Sequence, residues 1–100
     1  MTKKIYLAGK VTGIPLQQAI EKFKIKQAEL ENNHITVFNP VAYVVKNDIA
    51  DMPWNYLMKI CIEFLMKCDE LHLMPCWQES KGAQLERDIA IRLGMTVVYH

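Results

Sequence analysis

Leu71-His72-Leu73-Met74-Pro75-Cys76-Trp77, running on through Ser80-Lys81-Gly82-Ala83-Gln84-Leu85-Glu86, decides how the rest of the chain reads. A short apolar run ends at a proline, crosses a polar loop and enters a patterned helix that stops at Gly94. That order is strand, crevice loop, helix. On the helix, Gly82, Ala83, Glu86, Ile89, Ala90 and Leu93 recur at spacings of three and four and share one face. Glu86 is the anomaly on that face. Burying a lone ionised carboxylate costs several kcal/mol, so Glu86 must be paired, protonated or lining a cavity. The helix begins beyond the carboxyl end of a strand, where open α/β sheets place their ligands and where free N–H groups favour anions.

Working outward, Lys4–Ala8 reads as a first strand and Ile35–Phe38 as a second, with a helix between them opened by Pro15 and stopped at Asn32-Asn33. Strand, helix, strand at this spacing implies right-handed crossovers and parallel pairing. Residues 41–53 read as a long connection carrying Tyr43, Asp48 and Asp51. Pro53 opens a second helix with two apolar stripes: Leu57, Ile60, Cys61, Phe64, Leu65 and Cys68 on one side, Met58, Ile62 and Met66 on another. Two apolar faces call for two partners, the sheet and a second subunit. Thr96–Tyr99 is a fourth strand.

Composition narrows the function classes. One hundred residues, 51% hydrophobic, make one domain spanning 1–100 with a small core. Twelve Lys and Arg against eleven Asp and Glu leave no basic field for a nucleic-acid polymer. The opening Met1-Thr2-Lys3-Lys4 leads into an apolar run too short for a signal-peptide core or a membrane span, so a cytoplasmic protein is expected. Three cysteines with no C-x-x-C argue against disulfides and zinc, and neither a metal nor a cofactor is expected.

Individual side chains leave alternatives. The loop Gly9-Lys10-Val11-Thr12-Gly13 suits a phosphate but lacks the spacing of a Walker or dinucleotide loop, and in isolation reads more readily as an ordinary strand-to-helix turn than as a ligand loop. Trp77 either stacks on a flat ring at the crevice mouth or caps the core. His72, inside its strand, reads as a hydrogen-bonded core residue. Asp69 and Glu70 stand at the amino end of that strand, about 15 Å from the crevice at roughly 3.3 Å per residue, which makes Asp69 a poor catalytic candidate. Glu86 is either a satisfied carboxylate bonded to an N–H or a basic side chain such as Lys10, or a nucleophile able to attack a sugar anomeric carbon.

Taken together, Ile5-Tyr6-Leu7-Ala8-Gly9 with Thr12-Gly13, Asn39-Pro40, Cys68-Asp69-Glu70-Leu71 through Pro75 and Trp77, and Ser80-x-Gly82-Ala83-x-x-Glu86 resemble the nucleoside 2-deoxyribosyltransferase-like superfamily, in particular its short DUF4406-type branch. The resemblance covers essentially the whole chain. It implies a flavodoxin-like three-layer sandwich with a four-stranded parallel sheet in the order 2-1-3-4 and about three helices. It also implies that Glu86 is the catalytic nucleophile at C1′ of a nucleoside or nucleoside 5′-monophosphate, with water or a second base as acceptor. Tyr6, Gly9, Lys10, Thr12, Gly13, Trp77, Ser80 and Gly82 would bind the substrate, and serine rather than aspartate at position 80 favours a 5′-phosphorylated ligand. Two departures stand out: Lys10 where the branch usually has proline, and Cys61 where relatives often carry an aspartate that protonates the departing base. A general acid would then come from Asp48, Asp51 or a neighbouring subunit of a homodimer or higher oligomer. The alternative is an inactive nucleotide-binding module, or an interaction protein, on the same fold.

Overall fold

A computed structural model describes residues 2–100. The elements run β1 (Lys3–Ala8), α1 (Leu16–Leu30), β2 (Ile35–Phe38), α2 (Pro40–Lys46), α3 (Trp54–Leu65), β3 (Glu70–Leu73), a 3-10 turn (Trp77–Glu79), α4 (Lys81–Arg92) and β4 (Thr96–Tyr99). All four strands pair in parallel in the order β2-β1-β3-β4. Alternation along β1 divides the core. Ile5 and Leu7 pack with Ala19, Phe23, Val37, Val41 and Met74 beneath α1 and α2. Tyr6 and Ala8 pack on the other face with Cys61, Leu65, Leu71, Leu73, Ala83 and Ala90 beneath α3 and α4. The result is the expected α/β sandwich of three layers with flavodoxin-like strand order.

The order fixes where a crevice opens. From β1 the chain passes through α1 to β2 on one side; from β3 it passes through α4 to β4 on the other. The carboxyl ends of β1 and β3, neighbours at the centre, are thus a topological switch point with diverging loops. Asp69 instead closes the amino end of the sheet, its carboxylate accepting the Lys4 N–H at 2.8 Å while its own N–H donates to the Lys4 carbonyl at 2.7 Å. His72 is buried, with Nδ1 2.9 Å from Nε2 of His100 and Nε2 3.0 Å from Glu70, a hydrogen-bonded core histidine as expected.

Two expectations need correction. There are four α-helices rather than three, because part of the expected loop over residues 41–53 is helix α2. Its start is written in the sequence: Asn39 caps it by accepting the Ala42 N–H at 3.0 Å, and Pro40 occupies the first turn, where its missing N–H costs nothing. The second stripe of α3 is not one free face either. Met58 is buried beside Gly82 of α4, Ile62 is half-buried, and Met66 is exposed. Trp54 and Tyr56 are the large apolar side chains that α3 exposes near its start.

Asn39 also donates to Gln27 of α1 at 3.0 Å, so one buried amide ties α2 to α1. Asn39→Ala is expected to lower stability by about 1–2 kcal/mol in urea denaturation, through loss of the cap and the orphaning of Gln27. Asn39→Asp, which retains the capping oxygen, is expected to cost less.

Candidate active site

At the switch point the cavity encloses about 760 Å³, within the size range of small-molecule sites. Its floor is the buried face of the sheet. Tyr6 rises from β1, Cys61 descends from α3 and Glu86 from α4, and the Tyr6 hydroxyl donates to Oε2 of Glu86. Both groups are almost fully enclosed, Tyr6 at 0% and Glu86 at 5% exposure. Among the described residues no buried side-chain nitrogen or oxygen lacks a partner.

Two opposed influences set the state of Glu86. Burial penalises the charged carboxylate and dominates, raising its pKa to about 7, while the Tyr6 hydrogen bond favours the carboxylate and pulls it down. Tyr6 itself is held well above the ordinary tyrosine value by burial and by the adjacent carboxylate, so it stays protonated and remains a donor. Burial likewise lifts Cys61 to about 11, which keeps it a neutral thiol. A carboxyl group that titrates near neutrality beside open space can act as a general base, and as a nucleophile in its ionised fraction.

The walls differ in chemistry. One is polar and built by the loops after β1 and β3: Lys10, Thr12, Glu79, Ser80 and Lys81 line it. Ser80 caps α4, its Oγ accepting the Ala83 N–H at 3.1 Å. This leaves the N–H groups of Lys81 and Gly82 in the first turn, without intrahelical acceptors, at the cavity edge. Gly82 keeps that edge open, since a Cβ there would stand 3.0 Å from Sδ of Met58. Gly9 is tighter still, with Met74 Cε 2.6 Å from the place of its missing Cβ. The opposite wall, from α2 and the start of α3, is apolar and includes Val41, Val44, Met52, Trp54 and Leu57.

Of the expected site residues, Tyr6, Gly9, Lys10, Thr12, Ser80, Gly82 and Glu86 converge on this one cavity. Gly13 and Trp77 do not line it. Gly13 supplies the positive φ of 87° that turns the loop into α1. Trp77 is turned away because Cys76 adopts a left-handed conformation, φ 69°, and starts the 3-10 turn. Its indole lies 5.8 Å from the Tyr99 ring with the Arg87 guanidinium 5.0 Å above, which is the core-capping alternative. Lys10 does not neutralise Glu86; its Nζ pairs with Glu79 at 2.8 Å. Asp48 and Asp51, offered as replacement acids, are exposed and absent from the lining. The sequence reading missed the apolar wall, Glu79 and Lys81; only the α2 capping signal pointed to any of these.

A second, smaller cavity of about 300 Å³ opens at the amino end of the sheet, lined by Lys4, Phe64, Lys67 and Cys68. Burial, reinforced by the neighbouring Asp69 carboxylate, holds Cys68 neutral there, and the residues lining this cavity include no carboxylate. Among the described residues no group of three histidine, cysteine, aspartate or glutamate side chains is placed to hold a metal ion. No helix among them is long and apolar enough to cross a membrane.

The model of a family described as a domain of unknown function (DUF4406) matches residues 3–99, and the chain belongs to that family. No curated protein and no solved structure matches.

Burial of Glu86 leaves a signature in stability. Its pKa rises from an ordinary 4.5 in the unfolded chain to about 7 in the fold. Below the unfolded value both states are protonated and the group contributes nothing. Between the two values only the folded state keeps the proton, so stability falls as pH rises, by about 3 kcal/mol in total, and stays low above the folded value. Glu86→Gln is expected to flatten that part of the profile and to be the more stable protein at pH 8, as read by denaturant melts across pH.

Proposed function

We propose that this DUF4406-family protein breaks or exchanges the N-glycosidic bond of a nucleoside 5′-monophosphate or nucleoside, acting in the cytoplasm, with Glu86 as nucleophile. The observation that carries this reading is the carboxylate itself, buried, shifted to near neutrality, held by one hydrogen bond and opening onto a cavity with an anion-friendly wall. Its resemblance to the nucleoside 2-deoxyribosyltransferase-like superfamily, through Ser80-x-Gly82-x-x-x-Glu86 and Tyr6-Leu7-Ala8-Gly9, supports the same chemistry.

In the first step the ionised Glu86 carboxylate attacks C1′, the C–N bond electrons pass to the base, and the base takes a proton as it leaves. The sugar remains as an ester on Glu86. Water or a second base then attacks C1′, and the carboxylate is released with loss of a proton from the acceptor. The hydroxyl of Tyr6 positions the carboxylate and favours its charged form. Lys10, Thr12, Ser80 and the first N–H groups of α4 hold the phosphate, while the wall of Val44, Met52 and Trp54 receives the flat base.

A second possibility, a nucleotide-binding module without turnover, is favoured by Cys61. A thiol at about 11 is a poor proton donor, and among the described residues the other carboxyl group lining the cavity, Glu79, is paired with Lys10. The exposed Trp54 and Tyr56 of α3 and Met66 just beyond its end favour a homodimer or larger homo-oligomer, in which a neighbouring subunit would supply the acid. Light scattering tests that assembly; a monodisperse monomer at high concentration defeats it.

Incubation with a panel of nucleosides and 5′-monophosphates, followed by chromatography of free base, tests the chemistry. Glu86→Gln is expected to lower release by at least about a thousandfold, and undiminished release would remove Glu86 from the mechanism. In the wild type kcat/KM should climb with pH through about 7 as Glu86 ionises. Tyr6→Phe removes the hydrogen bond that favours the charged form, so its midpoint should move to higher pH.

A further inference from the structure

The mouth of the cavity is crossed by an ion pair. Lys10 stands on the loop after β1 and Glu79 on the facing 3-10 turn, one residue before the α4 cap, and Nζ and Oε1 lie 2.8 Å apart. Both side chains line the cavity. The loop carrying Lys10 is held from behind, because its carbonyl accepts Nζ of Lys22 at 3.2 Å. Lys10 is therefore already paired with an anion of the chain itself, the carboxylate of Glu79.

We infer that Glu79 determines specificity at this site, as a displaceable counter-ion that a phosphate must expel from Lys10 and that an uncharged nucleoside leaves in place. The inference rests on the reading of the cavity as a nucleotide site. Exposure decides that the pair can open. The two side chains are 28% and 58% exposed, and a solvated pair of this kind shifts an equilibrium by no more than about fivefold. A phosphate dianion has the means to replace it. Its three oxygens can engage Lys10, Lys81 and the free N–H groups of α4, where the carboxylate of Glu79 pairs with one ammonium, that of Lys10, beside the Cys76 thiol. Lys81 is available at the same edge, with its ammonium 4.3 Å from the Trp54 ring centroid rather than in an ion pair. The pair thus weakens every anion that needs Lys10 and leaves an uncharged nucleoside untouched; a phosphate offsets that cost with its further contacts, and an anion with a single binding face does not.

Calorimetric titration tests this in a Glu86→Gln background, which prevents turnover, with a 5′-monophosphate, its nucleoside and inorganic phosphate as probes. Adding Glu79→Gln should tighten the monophosphate and inorganic phosphate about two- to fivefold at low salt and leave the nucleoside unchanged. In a protein that also carries Lys10→Gln, the Glu79 substitution should have no effect, which a merely structural role for Glu79 would not produce. Monophosphate binding that is unchanged or weakened by Glu79→Gln, or a gain that persists without Lys10, overturns the inference. If no probe binds any variant, both this inference and the nucleotide reading fall. If phosphate tightens as expected but wild-type protein releases no base from any substrate, the counter-ion role stands and glycosyl chemistry falls.

Discussion

The hydrogen bond between Tyr6 and Glu86 is the constraint on which the site turns. A carboxylate on the inner face of a helix packed against a sheet is ordinarily too costly to keep. Here the cost is offset from the sheet itself, by a hydroxyl on a strand eighty positions earlier in the chain. The hydroxyl stays in place because its ring is wedged: Tyr6 stacks on Phe38 with centroids 5.3 Å apart, and Phe38 stacks on Phe64 at 4.3 Å. Tyr43 of α2 leans on the same Phe64 ring at 4.8 Å. Thus β1, β2, α2 and α3 all meet in the aromatic stack that aims one oxygen at Glu86.

The same arrangement accounts for the position of the cavity. A parallel sheet whose central strands send their connections in opposite directions must open between them at their carboxyl ends. The polar wall follows from this, since it is made of the two diverging loops. The apolar wall has a separate origin. Asn39 ends β2 and starts α2 within a single residue, which folds Val41 and Val44 back over the opening. The two walls are independent consequences of the sheet order and of one helix cap.

Much of this was legible in the sequence, and the remainder was hidden for definite reasons. The four strands, the parallel order and the anomaly of Glu86 are all local patterns: alternation, crossover length, and a charge on an apolar stripe. The partner of Glu86 was not legible, because Tyr6 in an apolar strand reads as ordinary core until its register against α4 is known. Helix α2 was overlooked because Asn39-Pro40 serves equally to end a strand and to cap a helix, and seven residues carry too few turns for a clear period. Trp77 packs on the core and the Tyr99 ring rather than lining the cavity, and it follows Cys76, whose positive φ non-glycine residues rarely adopt. Residue identity does not announce that turn. The Lys10–Glu79 pair joins two loops sixty-nine positions apart and leaves no periodic trace.

Burial at the cavity floor acts on two ionisable groups with opposite consequences for the proposed chemistry. It lifts Glu86 only to about 7, because Tyr6 donates to the carboxylate, and so leaves a substantial charged fraction at neutral pH. It lifts Cys61 to about 11, where the thiol neither ionises nor protonates a departing base effectively. On the proposed reading the floor of the site would hold a nucleophile, Glu86, without a strong acid beside it. Such a site favours substrates whose base departs without much assistance, or an assembly in which another subunit closes the apolar wall and brings the acid. If the proposed chemistry holds, the proton for the departing base would come from outside the three side chains on the floor, and the rate would respond to the leaving ability of the base more steeply than in a site with its own acid.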